Sequence, residues 1–140
     1  MLSTTHQTLL LWAIRKMTAD GYAVIAKDGD VPGIATQLPP PPLFRQLRPD
    51  ACGVNPTTGR FALGEAKTAA DIATPHTKHQ LQVFANTIHK RDGTRCRLYL
   101  AVPRSASTTL DRILGAVGLL GAPQVVRLHI PDCLITSEQG

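Results

Sequence analysis

Three residues of the chain, Asp50, Glu65 and Lys67, have the types and the spacing of a metal-dependent hydrolytic site. Glu65 and Lys67 are two residues apart, so on an extended strand their side chains point to the same face. Asp50 can reach that face from a neighbouring strand. Two carboxylates beside an ammonium group suit a hard divalent cation such as Mg²⁺, which takes oxygen ligands. This arrangement predicts metal-assisted hydrolysis of a phosphodiester, with the lysine stabilising developing negative charge.

The surroundings of the Glu-Ala-Lys triplet matter, because an acidic residue two before a lysine occurs about once by chance in a chain of this length. Alternate residues of a strand point to the same face, so Phe61 and Leu63 share a face with Glu65 and Lys67. That face is therefore apolar in the first half of the strand and charged in the second. Charges in line with core-facing residues are costly unless they form the rim of a site. The alternatives are an exposed strand face and, for Asp50, an ordinary turn acid after proline.

The first part of the chain is predicted to be a helix, a short strand and a long loop. Thr4 and Gln7 have the spacing of a capping box, and apolar residues at helical spacing then continue to a stop at Gly21. A strand is predicted at 22–27. Residues 31–47 include four successive prolines and are predicted to form a stiff, exposed loop.

The residues that could do chemistry are predicted to lie on a hairpin and on the helix that follows it. Strands at 51–54 and 60–67 are separated by a turn rich in Asn, Pro and Gly, which brings the two carboxylates together. Thr74-Pro75 is an N-cap followed by proline at the first helical position, and the helix is predicted to end at Asp92-Gly93.

The whole chain, 1–140, is predicted to be one domain. Its 140 residues are 43% hydrophobic and 18% charged, which suits a single globular core. The remaining predicted elements are a strand at 97–102, a helix from Ser107 to Leu120, a strand at 125–130 and a tail at 131–140. The predicted order is therefore α-β-β-β-α-β, followed by a further α-β, without internal repeats.

The segment that contains the candidate site is basic. Between Arg45 and Arg97 there are nine Lys or Arg and four Asp or Glu, and the net charge of the chain is +5. A basic face favours a polyanionic partner, although a solvated surface of ordinary basicity is the alternative. The residues predicted to contact phosphates are Arg60, Lys78, Lys90 and Arg91.

The cysteines and the N-terminal segment predict a reduced, cytoplasmic protein without a membrane anchor. Cys52, Cys96 and Cys133 are widely spaced and include no Cys-x-x-Cys pair, which argues against a disulfide framework and structural zinc. The apolar run Leu9–Trp12 is too short for a membrane span and lacks the flanking pattern of a signal peptide.

The sequence Pro49-Asp50, a gap and Glu65-Ala66-Lys67 resembles the motif of the PD-(D/E)XK nuclease superfamily. The first six predicted elements have the order of that family's common core. In RecB-like members a Gln-x-x-x-Tyr signature follows the motif, and Gln80 and Phe84 have this spacing with phenylalanine in place of tyrosine. The resemblance implies an α/β protein with a restriction-endonuclease-like αβββαβ core, in which helices flank a mixed central sheet, plus a C-terminal αβ extension.

The resemblance implies a Mg²⁺-dependent deoxyribonuclease, with Mn²⁺ as a substitute, whose partner is DNA. Asp50, Glu65 and the backbone carbonyl of Ala66 would hold the metal. Lys67 would orient or deprotonate the attacking water, and Gln80 would position the substrate. Many family members carry a further glutamate on the first helix, but no acid occurs early in this one, and none of its residues is assigned to the metal.

Two classes of function remain open from the sequence. The first is the nuclease, either an endonuclease or an exonuclease, which the family allows as a homodimer or as part of a larger nuclease complex. The alternative is a non-catalytic nucleic-acid-binding or assembly domain with the same fold.

Overall fold

The computed structural model describes residues 3–34 and 37–135. The elements in chain order are α1 (Thr4–Ala19), β1 (Ala23–Lys27), β2 (Ala51–Val54), β3 (Phe61–Ala66), α2 (Pro75–Ala85), β4 (Arg97–Pro103), α3 (Ser107–Ala116) and β5 (Val125–Ile130). This is the order that the sequence predicts. Short 3₁₀ turns precede α3 and follow β5. Most of the predicted tail, residues 136–140, lies outside the described residues.

The five strands form one mixed sheet in the order β1-β2-β3-β4-β5. The first three strands are antiparallel neighbours, whereas β3, β4 and β5 run parallel. Parallel neighbours require crossover connections, and α2 and α3 provide them. The end of the sheet at which β3, β4 and β5 terminate is also where β1 ends and β2 begins, and we call it the carboxyl end.

Helices cover both faces of this sheet, so the predicted α/β class with a helix-flanked mixed sheet is confirmed. Leu98 and Leu100 of β4 are buried in the cluster formed with α2 and α3, whereas Ala101 is buried in the cluster formed with α1. This alternation is the two-residue period of a strand with both faces covered. Burial of each such leucine side chain stabilises the fold by about 2 kcal/mol.

Two glycines in the strands allow α1 to pack closely on the sheet. A Cβ atom added at Gly64 of β3 would lie 3.1 Å from Met17 Sδ and 3.3 Å from Ala51 Cβ. At Gly53 of β2 it would lie 3.2 Å from Met17 Cε. Because larger side chains at these positions would separate the helix from the sheet, the glycines determine how near the first turn of α1 comes to the carboxyl end.

The helix ends differ from the predicted ones. The N-cap of α1 is Ser3 rather than Thr4, and its hydroxyl accepts a hydrogen bond from His6 N at 3.0 Å. The stop at Gly21 is confirmed, with a φ of 98°. Helix α2 ends at Ala85 instead of Asp92-Gly93, because Ile88 bridges to Arg95 and the chain there forms a tight loop.

Helix α3 is also shorter than predicted and ends at Ala116 rather than Leu120. Gly118 has a φ of 75°, a left-handed conformation that glycine adopts without steric cost at a helix end. Leu119 N donates to Leu114 O at 2.8 Å, which closes the last turn.

The proline-rich segment 31–47 is less exposed than predicted. Phe44 and Leu47 pack against the core on the α2 side of the sheet, and Pro41 is buried. Lys27 N donates to Pro39 O at 3.0 Å, which ties the segment to the end of β1. Residues 35 and 36 lie outside the described residues.

The three cysteines are free thiols, as predicted, with Cys52 and Cys96 buried and Cys133 exposed. Burial raises the pKa of Cys52 to about 11 and that of Cys96 to about 12. No helix in the described part of the chain is both long enough and apolar enough to cross a lipid bilayer.

Candidate active site

Asp50 and Glu65 lie in contact at the carboxyl end, on neighbouring segments of the chain. The register pairs Ala51 with Gly64, and Asp50, which directly precedes β2, donates its backbone N–H to Gly64 O at 3.0 Å. Glu65 Oε1 accepts a hydrogen bond from Asp50 N at 2.9 Å. The hairpin therefore brings the Glu65 side chain into contact with the Asp50 backbone.

Glu65 is the most deeply buried acid of the site, with only 1% of its surface exposed. Burial raises the pKa of its carboxyl group well above the usual range, and the negative charge of Asp50 raises this pKa further. Lys67 Nζ lies 3.5 Å from Glu65 Oε2 and opposes the shift. A second cation near these oxygens would stabilise the ionised pair, because opposite charge favours the charged form of a carboxyl group.

Asp50 is held by donors from two different elements. Its Oδ2 accepts a hydrogen bond from Ala66 N at 2.9 Å and lies 3.0 Å from His6 Nε2. No hydrogen bond from the described residues ends on its other oxygen, Oδ1. In a strand the N–H and C=O groups of one residue point toward the same neighbouring strand. Because the Ala66 N–H donates to Asp50, the Ala66 carbonyl also points toward the segment that contains Asp50. Asp50 Oδ1 and the Ala66 carbonyl are oxygen atoms that suit Mg²⁺.

His6 is a residue of the site that the sequence analysis does not assign. It lies in the first turn of α1, where the Ser3 cap fixes the backbone, and its side chain reaches Asp50 from 44 residues away. Its Nδ1 is buried and has no hydrogen-bond partner among the described residues. Helical spacing places His6 on the same stripe as the buried Leu10 and Ala13, and this stripe was the signal that could have identified it.

Lys67 and Gln80 form the side of the site that faces α2. Lys67 follows β3 directly, and its backbone N–H donates to Ala101 O at 3.0 Å. Its Nζ donates to Gln80 Oε1 and is thereby held beside Glu65. Gln80 therefore orients the lysine, a contact that the predicted role in substrate positioning does not include. The Phe84 ring, one turn later, packs into the core as its spacing suggests.

The residues predicted to contact phosphates do not form one cluster with the carboxylates. Only Lys78, in the first turns of α2, lies at the carboxyl end. Arg60 precedes β3, so it is about 16 Å from Glu65 along the strand at ~3.3 Å per residue. Arg60 pairs with Asp92 at 3.1 Å, and Lys90 and Arg91 lie in the same loop as Asp92.

The site is more enclosed than the site rim that the strand pattern predicts. Asp50 is 8% exposed, and Lys67 and Gln80 are each 9% exposed. Within residues 3–34 and 37–135, no group of three or more His, Cys, Asp or Glu side chains has the arrangement of a formed metal site. Three of the carboxylate oxygens are already engaged by groups of the protein. Glu65 Oε1 accepts a hydrogen bond from Asp50 N, Glu65 Oε2 contacts Lys67 Nζ, and Asp50 Oδ2 accepts a hydrogen bond from Ala66 N.

Comparisons of the chain with protein-family models, with curated proteins and with solved structures give no match. The geometry of these side chains and the motif they form are therefore the features that indicate a function.

Proposed function

We propose that the protein is a Mg²⁺-dependent nuclease that hydrolyses DNA phosphodiester bonds on a restriction-endonuclease-like fold. The observation that carries the proposal is the contact of Asp50 with the buried Glu65, with Lys67 bonded to Gln80 beside them. Strand order β1-β2-β3-β4-β5 and the initial α-β-β-β-α-β order support the fold assignment.

The donors at the site fit a divalent cation. Burial of Glu65 and the nearby negative charge of Asp50 make it costly to ionise both carboxyl groups, and a bound cation would offset this cost. Asp50, Glu65 and the carbonyl of Ala66 would hold the metal, and the position of His6 makes its imidazole a further candidate ligand. Bound there, the cation would supply polarisation of a phosphoryl oxygen and activation of a water.

The protein's own groups would orient and stabilise the reacting phosphate. The Lys67 ammonium is fixed by Gln80 and Glu65, so its positive charge is preorganised for the negative charge that develops on phosphorus oxygens. The hydrogen bond from Ala66 N to Asp50 Oδ2 fixes the position of that carboxylate. The first turn of α1 keeps His6 against the same carboxylate and closes one side of the site.

The second candidate is a non-catalytic nucleic-acid-binding or assembly domain with the same fold. The enclosure of the site favours it, since Glu65 is 1% exposed and both of its oxygens contact protein donors. In that case the buried polar cluster would stabilise the hairpin and α1 without turnover.

A cleavage assay separates the two functions. Single-stranded, duplex, flapped and branched DNA would be incubated with the protein and Mg²⁺, Mn²⁺ or a chelator. We expect metal-dependent cleavage by the wild type and at least a hundredfold loss for Asp50→Asn, a change that replaces a charged ligand with a neutral amide. Asp30→Asn is the matched control, because Asp30 is exposed and makes none of the hydrogen bonds and ion pairs that hold Asp50, Glu65 and Lys67. Equal activity of wild type and Asp50→Asn would overturn the proposal, and binding without cleavage would favour the second candidate.

A further inference from the structure

Arg45 and Gln46 form a strained turn within the proline-rich segment. Their φ angles are 49° and 68°, in the left-handed region that favours glycine. Phe44 N donates to Leu47 O at 2.7 Å and Leu47 N donates to Phe44 O at 2.9 Å, so the two residues occupy the centre of a tight hairpin turn. Such turns ordinarily use Asn-Gly, and backbone strain of this kind clusters at ligand clamps and active sites.

The turn is held rigidly despite its strain. The Phe44 ring stacks on Phe61 with centroids 6.1 Å apart and meets the edge of Phe84 at 6.5 Å. Arg48 Nε donates to Pro41 O at 3.0 Å and joins the two chain segments that lead into the turn. These anchors fix the backbone position of the exposed Arg45, which reduces the entropy lost when its guanidinium binds a ligand.

This turn and α2 line a groove of about 550 Å³. Arg45 and Lys90 contribute positive charge, and none of the residues that line the groove is acidic. Gln82 and Asn86 offer amide groups from α2, and Ile88, which is 51% exposed, offers an apolar surface. A groove of this size is comparable to a small-ligand site, so it can hold a short stretch of one strand but not a duplex.

The groove begins near the carboxyl end, where α2 starts, and leads away from the end of the sheet that holds the candidate active site. His79, which lines the groove, directly precedes Gln80, which bonds to Lys67. From His79 to Asn86 the helix advances about 10 Å at ~1.5 Å per residue, toward the loop that contains Lys90. A nucleic-acid strand in this groove would therefore connect the basic loop with the carboxylates.

We propose that this groove binds a single strand of the nucleic-acid substrate and that Arg45 contacts its phosphates. The nature of the ligand rests on the proposed function. The guanidinium of Arg45 and the ammonium of Lys90 match the phosphates, whereas Ile88 and the edge of Phe44 offer apolar surface to a base. The side-chain amides of Gln82 and Asn86 suit the edges of a base that is not paired.

The test compares Arg45→Asn with the wild type in binding labelled oligonucleotides, single-stranded or in a hairpin duplex, with a chelator present. Asparagine tolerates the left-handed backbone, so this change removes the charge while it preserves the turn. Arg15→Asn is the matched control, because Arg15 is exposed on α1, on the opposite face of the sheet. We expect Arg45→Asn to weaken single-strand binding about tenfold and to reduce the salt slope of log affinity by about 0.7, while the control leaves both unchanged.

Three outcomes would overturn the proposal. If the wild type binds and cleaves DNA while Arg45→Asn binds single strands equally well, the groove assignment is wrong and the nuclease stands. If Arg45→Asn weakens duplex and single-strand binding by the same factor, the groove does not select single strands. If the wild type binds no DNA at low salt, the nucleic-acid role and the groove fail together. Circular dichroism of each variant shows whether the fold is retained, and Arg45→Gly provides a second variant that relieves the strain while it removes the charge.

Discussion

At the residue scale, the buried carboxyl group of Glu65 is the most unusual feature of the site. A carboxylate at the protein surface would cost little to ionise, but Glu65 is enclosed and lies close to the negative charge of Asp50. Its burial also changes which substitution is informative. Glu65→Ala would leave a cavity and remove one of the two acceptors of Asp50 N–H, whereas Glu65→Gln preserves the volume and that acceptor.

Glu65→Gln should make the protein more stable at high pH and remove catalysis. The folded-state pKa of Glu65 lies above its unfolded value, so the folded protein binds more protons between the two values. The free energy of unfolding is therefore largest below the unfolded pKa and falls as pH rises through the folded pKa, by about 1.4 kcal/mol per pKa unit of difference. Glutamine does not titrate and avoids this loss.

Urea unfolding of wild type and Glu65→Gln at acidic, neutral and alkaline pH measures the difference. The two proteins should have similar stability near pH 4, and the variant should gain relative to the wild type as pH rises. A wild type whose advantage over Glu65→Gln grows with pH would contradict the raised pKa. Cleavage by Glu65→Gln should fall at least about a hundredfold if the nuclease is correct.

Metal binding should stabilise the wild type at neutral pH. A ligand that binds only the folded state adds RT ln(1 + [L]/Kd), or about 2.7 kcal/mol at a hundred times Kd. Mg²⁺ and Mn²⁺ should therefore raise the melting temperature of the wild type and of Asp30→Asn. We expect no such rise for Asp50→Asn. In His6→Ala the stabilisation by Mn²⁺ should decrease more than the stabilisation by Mg²⁺, because imidazole nitrogen prefers transition metals. Equal metal responses in wild type and Asp50→Asn would rule out a metal site at this carboxylate.

At the element scale, the position of α1 on the sheet decides whether its first turn reaches the site. Met17 packs over Gly64, and the same helix carries His6 to Asp50 at 3.0 Å. Gly53 and Gly64 therefore influence the site through the position of α1, and neither of them bonds to a carboxylate side chain of the site.

Gly64→Ala should destabilise the fold and weaken the site. The added Cβ would lie 3.3 Å from Ala51 Cβ, which cannot move without shifting β2, so we expect a loss of about 1–3 kcal/mol. Gly115→Ala is the matched control, because Gly115 lies within α3 with no atom within 4 Å of an added Cβ, and alanine should stabilise that helix by about 1 kcal/mol. Thermal unfolding measures both changes, and a Gly64→Ala protein as stable as the wild type would refute the packing argument.

At the scale of the whole molecule, positive charge is divided between two ends of the sheet. Lys78 lies at the carboxyl end, whereas Arg91 lies in the loop near Arg60 at the other end. A nucleic acid that touches both regions must cover about 16 Å, or roughly five nucleotides at 3.4 Å each.

Substrate length should therefore separate the contributions of Lys78 and Arg91. Lys78→Gln should weaken binding of short and long oligonucleotides alike, and each lost phosphate contact should reduce the salt slope by about 0.7–0.9. Arg91→Gln should weaken only the oligonucleotides longer than about five nucleotides, since shorter ones placed at the carboxylates do not reach the loop. Fluorescence anisotropy on a series of lengths measures this. An Arg91→Gln defect that is the same at every length would contradict the two-ended arrangement.

The sequence by itself determined the features that depend on neighbours within a few residues. The two-residue period of a strand places Glu65 and Lys67 on one face, and Thr74 with Pro75 specifies where α2 begins. The turn between β2 and β3 also brings Asp50 to Glu65, because a hairpin is a local structure. Element order follows from the same short-range signals, although the ends of α2 and α3 do not.

Only the tertiary structure decided the burial of Glu65 and the arrival of His6 at Asp50. Each depends on how α1 and α2 dock on the sheet, and docking joins residues that are tens of positions apart in the chain. Such contacts arise from packing of whole helix and sheet faces, which no local pattern specifies. A periodic stripe shows which face of α1 is buried, but the glycines at 53 and 64 allow the close approach that brings the imidazole to the carboxylate.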